Sequence, residues 1–180
     1  MSDIMALEER LRRVRRRKNW QGVARSVLAT VAAVYLLLGV IFGIAVVKGR
    51  SMEPNIYSGD LLLFSRINQG YERGDIVLLR VVENQEDYLK RIVAVGGDTV
   101  DIDGITGALI INGEKVEETH IYAPTREIGG GIELPLTVPK NSVFVLGDNR
   151  MNSEDSRLLG TIPVSEIEGK ALCIFRRRIF

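Results

Sequence analysis

The run SVLATVAAVYLLLGVIFGIAVV, from Ser26 to Val47, carries no charged side chain and leads directly into Lys48-Gly49-Arg50-Ser51-Met52-Glu53-Pro54. As a helix, these 22 residues extend roughly 33 Å at about 1.5 Å per residue, enough to cross a bilayer. Ser51 then lies within about 13 Å of chain from the end of the run, at about 3.3 Å per residue. Its chemistry is therefore expected at the membrane surface.

Charge sets the orientation. Up to Arg25 the chain carries Arg10, Arg12, Arg13, Arg15, Arg16, Arg17, Lys18 and Arg25 against Asp3, Glu8 and Glu9, while only Lys48 and Arg50 closely follow the run. The positive-inside rule makes residues 1–22 a basic cytoplasmic tail and residues 23–47 the anchor, and it exports residues 48–180. The chain is thus expected in the plasma membrane as a single-pass protein with the lipid bilayer as a partner. The arginines read as an orientation signal that also meets anionic headgroups. No nucleic acid is expected, since the whole chain balances 24 basic against 23 acidic residues. A removable signal peptide cut near Gly43-Ile44-Ala45 is the competing reading, but its apolar stretch would be only about 7–15 residues long.

Beyond Arg50 the helical period disappears. Short aliphatic and β-branched runs (Leu61–Arg66, Asp75–Val82, Tyr88–Val95, Thr99–Ile102, Ala108–Ile111, Ser142–Leu146, Gly169–Phe175) alternate with turn signals such as Ser58-Gly59-Asp60 and Gly96-Gly97-Asp98. This pattern predicts a mostly β protein: one N-terminal transmembrane helix, then an antiparallel, barrel-like β domain. Ile111-Asn112-Gly113-Glu114 predicts a hairpin, Gly129-Gly130-Gly131 a loop, and Val164–Glu168 a short helix after Pro163. Cys173 is the only cysteine, so no intrachain disulfide or cysteine-based zinc site can form, and a small core residue is expected there. No metal and no cofactor are expected.

The chemistry centres on Ser51 and Lys90. A serine hydroxyl needs a base within hydrogen-bond reach. The single histidine, His120, falls in the polar stretch Glu117-Glu118-Thr119-His120 and is expected in an exposed loop. A lysine serves only when neutral, and at an ordinary pKa of about 10.4 fewer than one in roughly a thousand is neutral near pH 7. In a strand, Tyr88, Lys90, Ile92 and Ala94 share one face and Leu89, Arg91, Val93 and Val95 the other. A lysine between tyrosine and isoleucine is a candidate for burial, which disfavours the ammonium. Spacing alone leaves open that Lys90 faces solvent and that Ser51 is an ordinary turn residue. The segment from Gly147 to Arg157, rich in short hydrogen-bonding side chains, suits either a polar loop or a scaffold behind a buried lysine.

Taken together, Ser51-Met52-x-Pro54, Tyr88-Leu89-Lys90-Arg91-Ile92-Val93 with Gly96-Gly97-Asp98, and Gly147-Asp148-Asn149-Arg150 with Asn152-Ser153 and Asp155-Ser156-Arg157 resemble the three signatures of type I signal peptidases. These are membrane-anchored serine–lysine endopeptidases. The resemblance implies that Ser51 attacks the scissile carbonyl and that Lys90 is the general base. Ser153 matches the position that hydrogen-bonds the lysine amine, while Asp148, Arg91, Asp155 and Arg157 match positions that brace the site. By the same matching, Val47, Met52, Ile56, Tyr88 and Leu89 line the substrate pockets, with plain core packing as the other reading of each. The implied partners are signal peptides of exported preproteins, cut after small-x-small sites, and the secretion translocon.

Gly49 replaces a serine that supplies an oxyanion donor in some members, which resembles the single-anchor, Gram-positive type. The short spacing from Asp98 to Gly147 implies a small cap, roughly residues 103–140. Two other readings differ in class: a catalytically silent, membrane-anchored assembly factor of peptidase descent, and a self-cleaving serine–lysine peptidase. The first would be marked by loss of Ser51 or Lys90, and the second needs an N-terminal DNA-binding domain; neither mark is present.

Overall fold

The computed structural model of the chain describes residues 2–67, 70–81 and 86–176. It divides into two units, a helix reaching Ile41 and a β unit beginning at Phe42. The helix, α1 (Ser2–Ile41), contains one segment long and apolar enough to cross a membrane, Trp20–Ile41.

The helix thus ends six residues before Val47, where the sequence reading placed the end of the anchor. Phe42–Val46 forms strand β1, paired antiparallel with β2 (Leu61–Ser65) in the register Phe42↔Ser65 to Val46↔Leu61. Hydropathy could not separate the two segments, because a β-branched edge strand is as apolar as the helix before it. What distinguishes them is Gly43, which sits directly opposite Phe64. A Cβ at Gly43 would collide with the Phe64 ring, which is 2% exposed and also presses on Gly169. Consequently Ser51 follows a hydrogen-bonded strand and not a free tether. The proposed cleavage stretch Gly43-Ile44-Ala45 lies within β1.

The remaining elements are β3 (Ile76–Val81), β4 (Glu86–Val95), β5 (Thr99–Ile102), β6 (Leu109–Ile111), β7 (Glu114–Lys115), β8 (Leu136–Thr137), β9 (Ser142–Leu146), α2 (Ser156–Leu159), β10 (Ile162–Pro163) and β11 (Ile167–Phe175), with one 3-10 turn at Val164–Glu166. All pairings are antiparallel, and the main sheet has the order β1-β2-β11-β3-β4-β9-β10. The mostly β, antiparallel fold read from sequence is the fold observed. Each predicted run falls on a strand, although Val82 lies outside the described residues. The sheet is curled: β1 and β4 stand four strand spacings apart, roughly 19 Å if flat, yet they wall one groove.

The cap is a second sheet, β7-β6-β5-β8, which begins at Thr99 and not at residue 103. Its hairpin turns at Asn112 and Gly113, both at positive φ (56° and 83°), as an Asn-Gly pair in a two-residue turn requires. Val100, Ile102, Leu109 and Ile111 pack against Val93, Ala94, Phe144 and Leu146 of the main sheet. A β-bulge between Ile92 and Ala94 lets both Val93 and Ala94 join this cluster, so the strict alternation predicted for β4 stops at Ile92. A bulge between Ala171 and Cys173 likewise leaves Leu172 and Cys173 exposed. The predicted burial of Cys173 is therefore corrected.

The strand assignment of Phe42–Val46 makes Gly43→Ala a decisive substitution. In a membrane helix, alanine would be neutral or favourable by up to about 1 kcal/mol. Against the Phe64 ring, overpacking is expected to cost about 1–3 kcal/mol, read from denaturant melts in detergent.

Candidate active site

Ser51 sits in a tight turn closed by Val47 N–H to the Asp60 carbonyl (2.9 Å) and Gly59 N–H to the Val47 carbonyl (2.8 Å). Inside it the Asn55 and Ile56 N–H groups both donate to the Met52 carbonyl, at 3.0 and 2.9 Å. Met52 and Ile56 anchor the turn by plugging into the cluster of Val47, Leu62, Phe64, Leu78 and Leu89. Gly49 has φ +81°, a conformation that side chains resist, so the turn itself favours glycine there.

Lys90 comes from β4, whose first half pairs with β3 in the register Val77↔Lys90. The lysine is 2% exposed, and its Nζ lies 2.9 Å from Ser51 Oγ and 5.1 Å from the centre of the Tyr88 ring. The shared face of Tyr88 and Lys90 is thus observed, and the solvent-facing alternative is not. Burial pushes the Lys90 amine down to about 8. The charges of Asp155 and Glu154 oppose that shift and Arg157 assists it.

The segment following β9 closes the back of the site. Asn149 N–H donates to the Ser51 carbonyl (2.9 Å), and its side-chain amide donates to the Arg50 carbonyl (3.1 Å). Asp148, fully buried, receives Arg91 through Nε (2.8 Å) and Nη2 (2.7 Å). Asp155 caps α2 and accepts from Gly147 N–H (3.1 Å) and from Arg157 Nε and Nη2 (both 2.9 Å). Gly147 has no room for a side chain, because a Cβ would strike Ser153 and the Ser51 carbonyl. The four charged positions named from the resemblance pair off, Arg91 with Asp148 and Arg157 with Asp155.

Three expectations change. The Ser153 hydroxyl is buried without a hydrogen-bond partner, so the implied bond to Lys90 is not made; that amine donates to Ser51 instead. His120 is half-buried, with Nε2 3.8 Å from Asp148 and 4.0 Å from Glu118, because Arg150 binds Glu118 and Thr125 and draws the segment inward. Of the pocket residues, Val47, Tyr88 and Leu89 line the groove, whereas Met52 and Ile56 lie beneath it as core.

That groove has a volume of about 790 Å³. Ala45, Val47, Leu62, Leu78 and Leu89 give it an apolar floor, and Ser51, Lys90, Asn152 and Glu154 form its polar end. Among the described residues no cluster of metal-binding side chains occurs. Sequence reasoning placed Asn149 in the third segment without a role of its own, although its backbone N–H holds the Ser51 carbonyl and its side-chain amide the Arg50 carbonyl. It missed Asn152 and Glu154, which come together with the groove only through the curl of the sheet.

The family described as signal peptidase, peptidase S26, matches residues 20–176. A signal peptidase I of Bacillus amyloliquefaciens is 34% identical over 174 residues, covering 90% of this chain and 89% of the relative. Signal peptidase I T of Bacillus subtilis (strain 168) is 34% identical over 161 residues, covering 84% and 82%. A crystal structure of a signal peptidase I from Enterococcus faecalis covers 57% of this chain and 97% of its own, at 27% identity and a TM-score of 0.45.

The depressed Lys90 amine has a stability consequence with a defined sign. Between pH 8 and 10.5 the unfolded chain holds the proton that the folded chain has released, so stability rises with pH across that window. Below it, the buried ammonium costs up to about 3 kcal/mol. Lys90→Met is expected to recover most of that amount at pH 6–7 and to lose the advantage near pH 10.5, as read from melts across pH.

Proposed function

The chain belongs to the signal peptidase family, peptidase S26, and from that premise we propose that it is a membrane-anchored endopeptidase that uses Ser51 as nucleophile and Lys90 as general base. The observation that carries the reading is the 2.9 Å contact between a hydroxyl and a buried amine. With its pKa near 8, about a tenth of the Lys90 side chains are neutral at pH 7, hundreds of times the share of an ordinary lysine.

In this reading the neutral amine takes the hydroxyl proton as Oγ attacks the scissile carbonyl. The resulting oxyanion is met by the Ser51 backbone N–H, which makes no backbone hydrogen bond among the described residues. The Lys90 ammonium then gives its proton to the leaving amine, and the signal peptide remains as an ester on Ser51. Lys90, neutral again, deprotonates the water that hydrolyses the ester.

The substrate reading follows from strand edges. Among the described residues β1 is paired with β2, and the first half of β4 is paired with β3 before β9 joins at Arg91. Residues of both strands border the groove, so an extended peptide laid along it would run beside them as an added strand. Its alternate side chains would face the apolar floor, where the family resemblance implies small residues at the first and third positions before the cut. The basic tail ahead of Trp20 favours a cytoplasmic N-terminus and an exported β unit.

Protein in detergent is expected to cut a preprotein with a small-x-small site. Ser51→Ala and Lys90→Ala should each lower the rate by about a thousandfold or more while secondary structure is retained. Full activity in either variant rules out the pair. The rate should also fall about tenfold per pH unit below a midpoint near 8, as Lys90 takes up a proton. A flat profile from pH 6 to 8 rules out a lysine base.

A further inference from the structure

Asn55 lies four residues beyond Ser51 in the same turn. Its side-chain nitrogen donates to the His120 carbonyl at 2.7 Å and to Asp148 Oδ2 at 2.8 Å. A carbonyl and an arginine-paired carboxylate are both acceptors, so the amide must present its nitrogen to them and its orientation is fixed. The same Asp148 carboxylate holds the fork of Arg91, the residue directly after Lys90 on β4. One buried carboxylate therefore ties the turn that carries the hydroxyl to the strand that carries the amine. The neighbouring Asn149 N–H fixes the Ser51 carbonyl and leaves the far side of the turn to Asn55.

We propose that Asn55 is a positioning residue, holding the Ser51 hydroxyl against the Lys90 amine through Asp148. This inference rests on the Ser51–Lys90 reading given above. Asn55 does not line the groove and so touches no substrate. Its loss acts on the alignment of two reacting groups, where a displacement of about 1 Å can cost a hundredfold in rate. Such a loss falls on kcat and spares KM. The second bond, to the His120 carbonyl, ties the same turn to the segment that Glu118 and Thr125 fasten to Arg150.

The test uses full-length protein in detergent and a small-x-small peptide, with activity expressed per folded molecule counted by circular dichroism. Asn55→Ala should lower kcat about 10- to 100-fold, leave KM within about twofold, and leave the acid limb in place, since Lys90 stays buried. Asn55→Ser, which retains one donor for two acceptors, should recover part of the loss. Asn55 and Arg91 act through one carboxylate, so Asn55→Ala combined with Arg91→Ala should fall little below the more damaged single variant.

Losses that multiply in the double variant overturn the proposal, as does a kcat for Asn55→Ala that matches the parent protein once corrected for folded fraction. Ser51→Ala, run alongside, separates the two levels. If it is active, the serine–lysine reading has failed. If it is dead while Asn55→Ala runs at full rate, only the role of Asn55 has failed.

Discussion

Everything at the site depends on an amine held out of water beside a hydroxyl. A lysine that is 2% exposed would ordinarily recruit a carboxylate, because an unpaired buried charge is costly. Here its hydrogen bond goes to a neutral serine, and the Tyr88 ring covers it from its own strand face. The proton is therefore held loosely, which costs stability near neutral pH and leaves part of the amine neutral there. The surrounding β unit must be firm enough to sustain that cost, and the three apolar clusters of the sheet and cap supply the firmness.

The curl of the main sheet converts this arrangement into a groove. Ser51 and Lys90 are 39 residues apart in sequence, on a turn after β1 and on a strand in the middle of the sheet. Met52 and Ile56 insert into the same cluster as Leu78 and Leu89, so the packing that stabilises the β unit also sets the separation of hydroxyl and amine. The apolar floor and the reactive end are two faces of one packing solution. A substitution at Met52 or Ile56 would be felt as chemistry although neither side chain enters the groove.

Much of this was legible in the sequence, for identifiable reasons. Strands with turn residues at both ends, such as Thr99–Ile102 and Ser142–Leu146, were readable to the residue. So was the Asn112-Gly113 turn, where only a few residue types tolerate the backbone. The pairing of Ser51 with Lys90 was approached through alternation on β4, which holds as far as Ile92. Less readable were features decided by tertiary contacts. β1 is as apolar as the helix before it, and its identity depends on a glycine meeting a phenylalanine 21 residues later. The exposure of Cys173 and the shared packing of Val93 and Ala94 both follow from bulges, which leave no reliable mark in composition. The segment of His120 is held inward by Arg150, far along the chain, which binds Glu118 and Thr125 on either side of it.

The distribution of acidic groups around the site supports the proposal of a lysine base over a histidine one. A histidine base works with a carboxylate at its back, which orients the ring and stabilises the imidazolium. A lysine base cannot accept that arrangement, since a free carboxylate at contact distance would restore the ammonium. The third segment brings Asp148 and Asp155 close behind Ser51 and Lys90, and each is closed off by an arginine fork, Arg91 on one and Arg157 on the other. Asp155 also accepts from the Gly147 N–H, and Asp148 from Asn55. Their negative charge is spent on fixing the backbone that holds Ser51, and what remains to reach Lys90 is weaker than the effect of burial. The arginines thus do two jobs together: they rigidify the scaffold, and they limit how far its two aspartates favour the Lys90 ammonium.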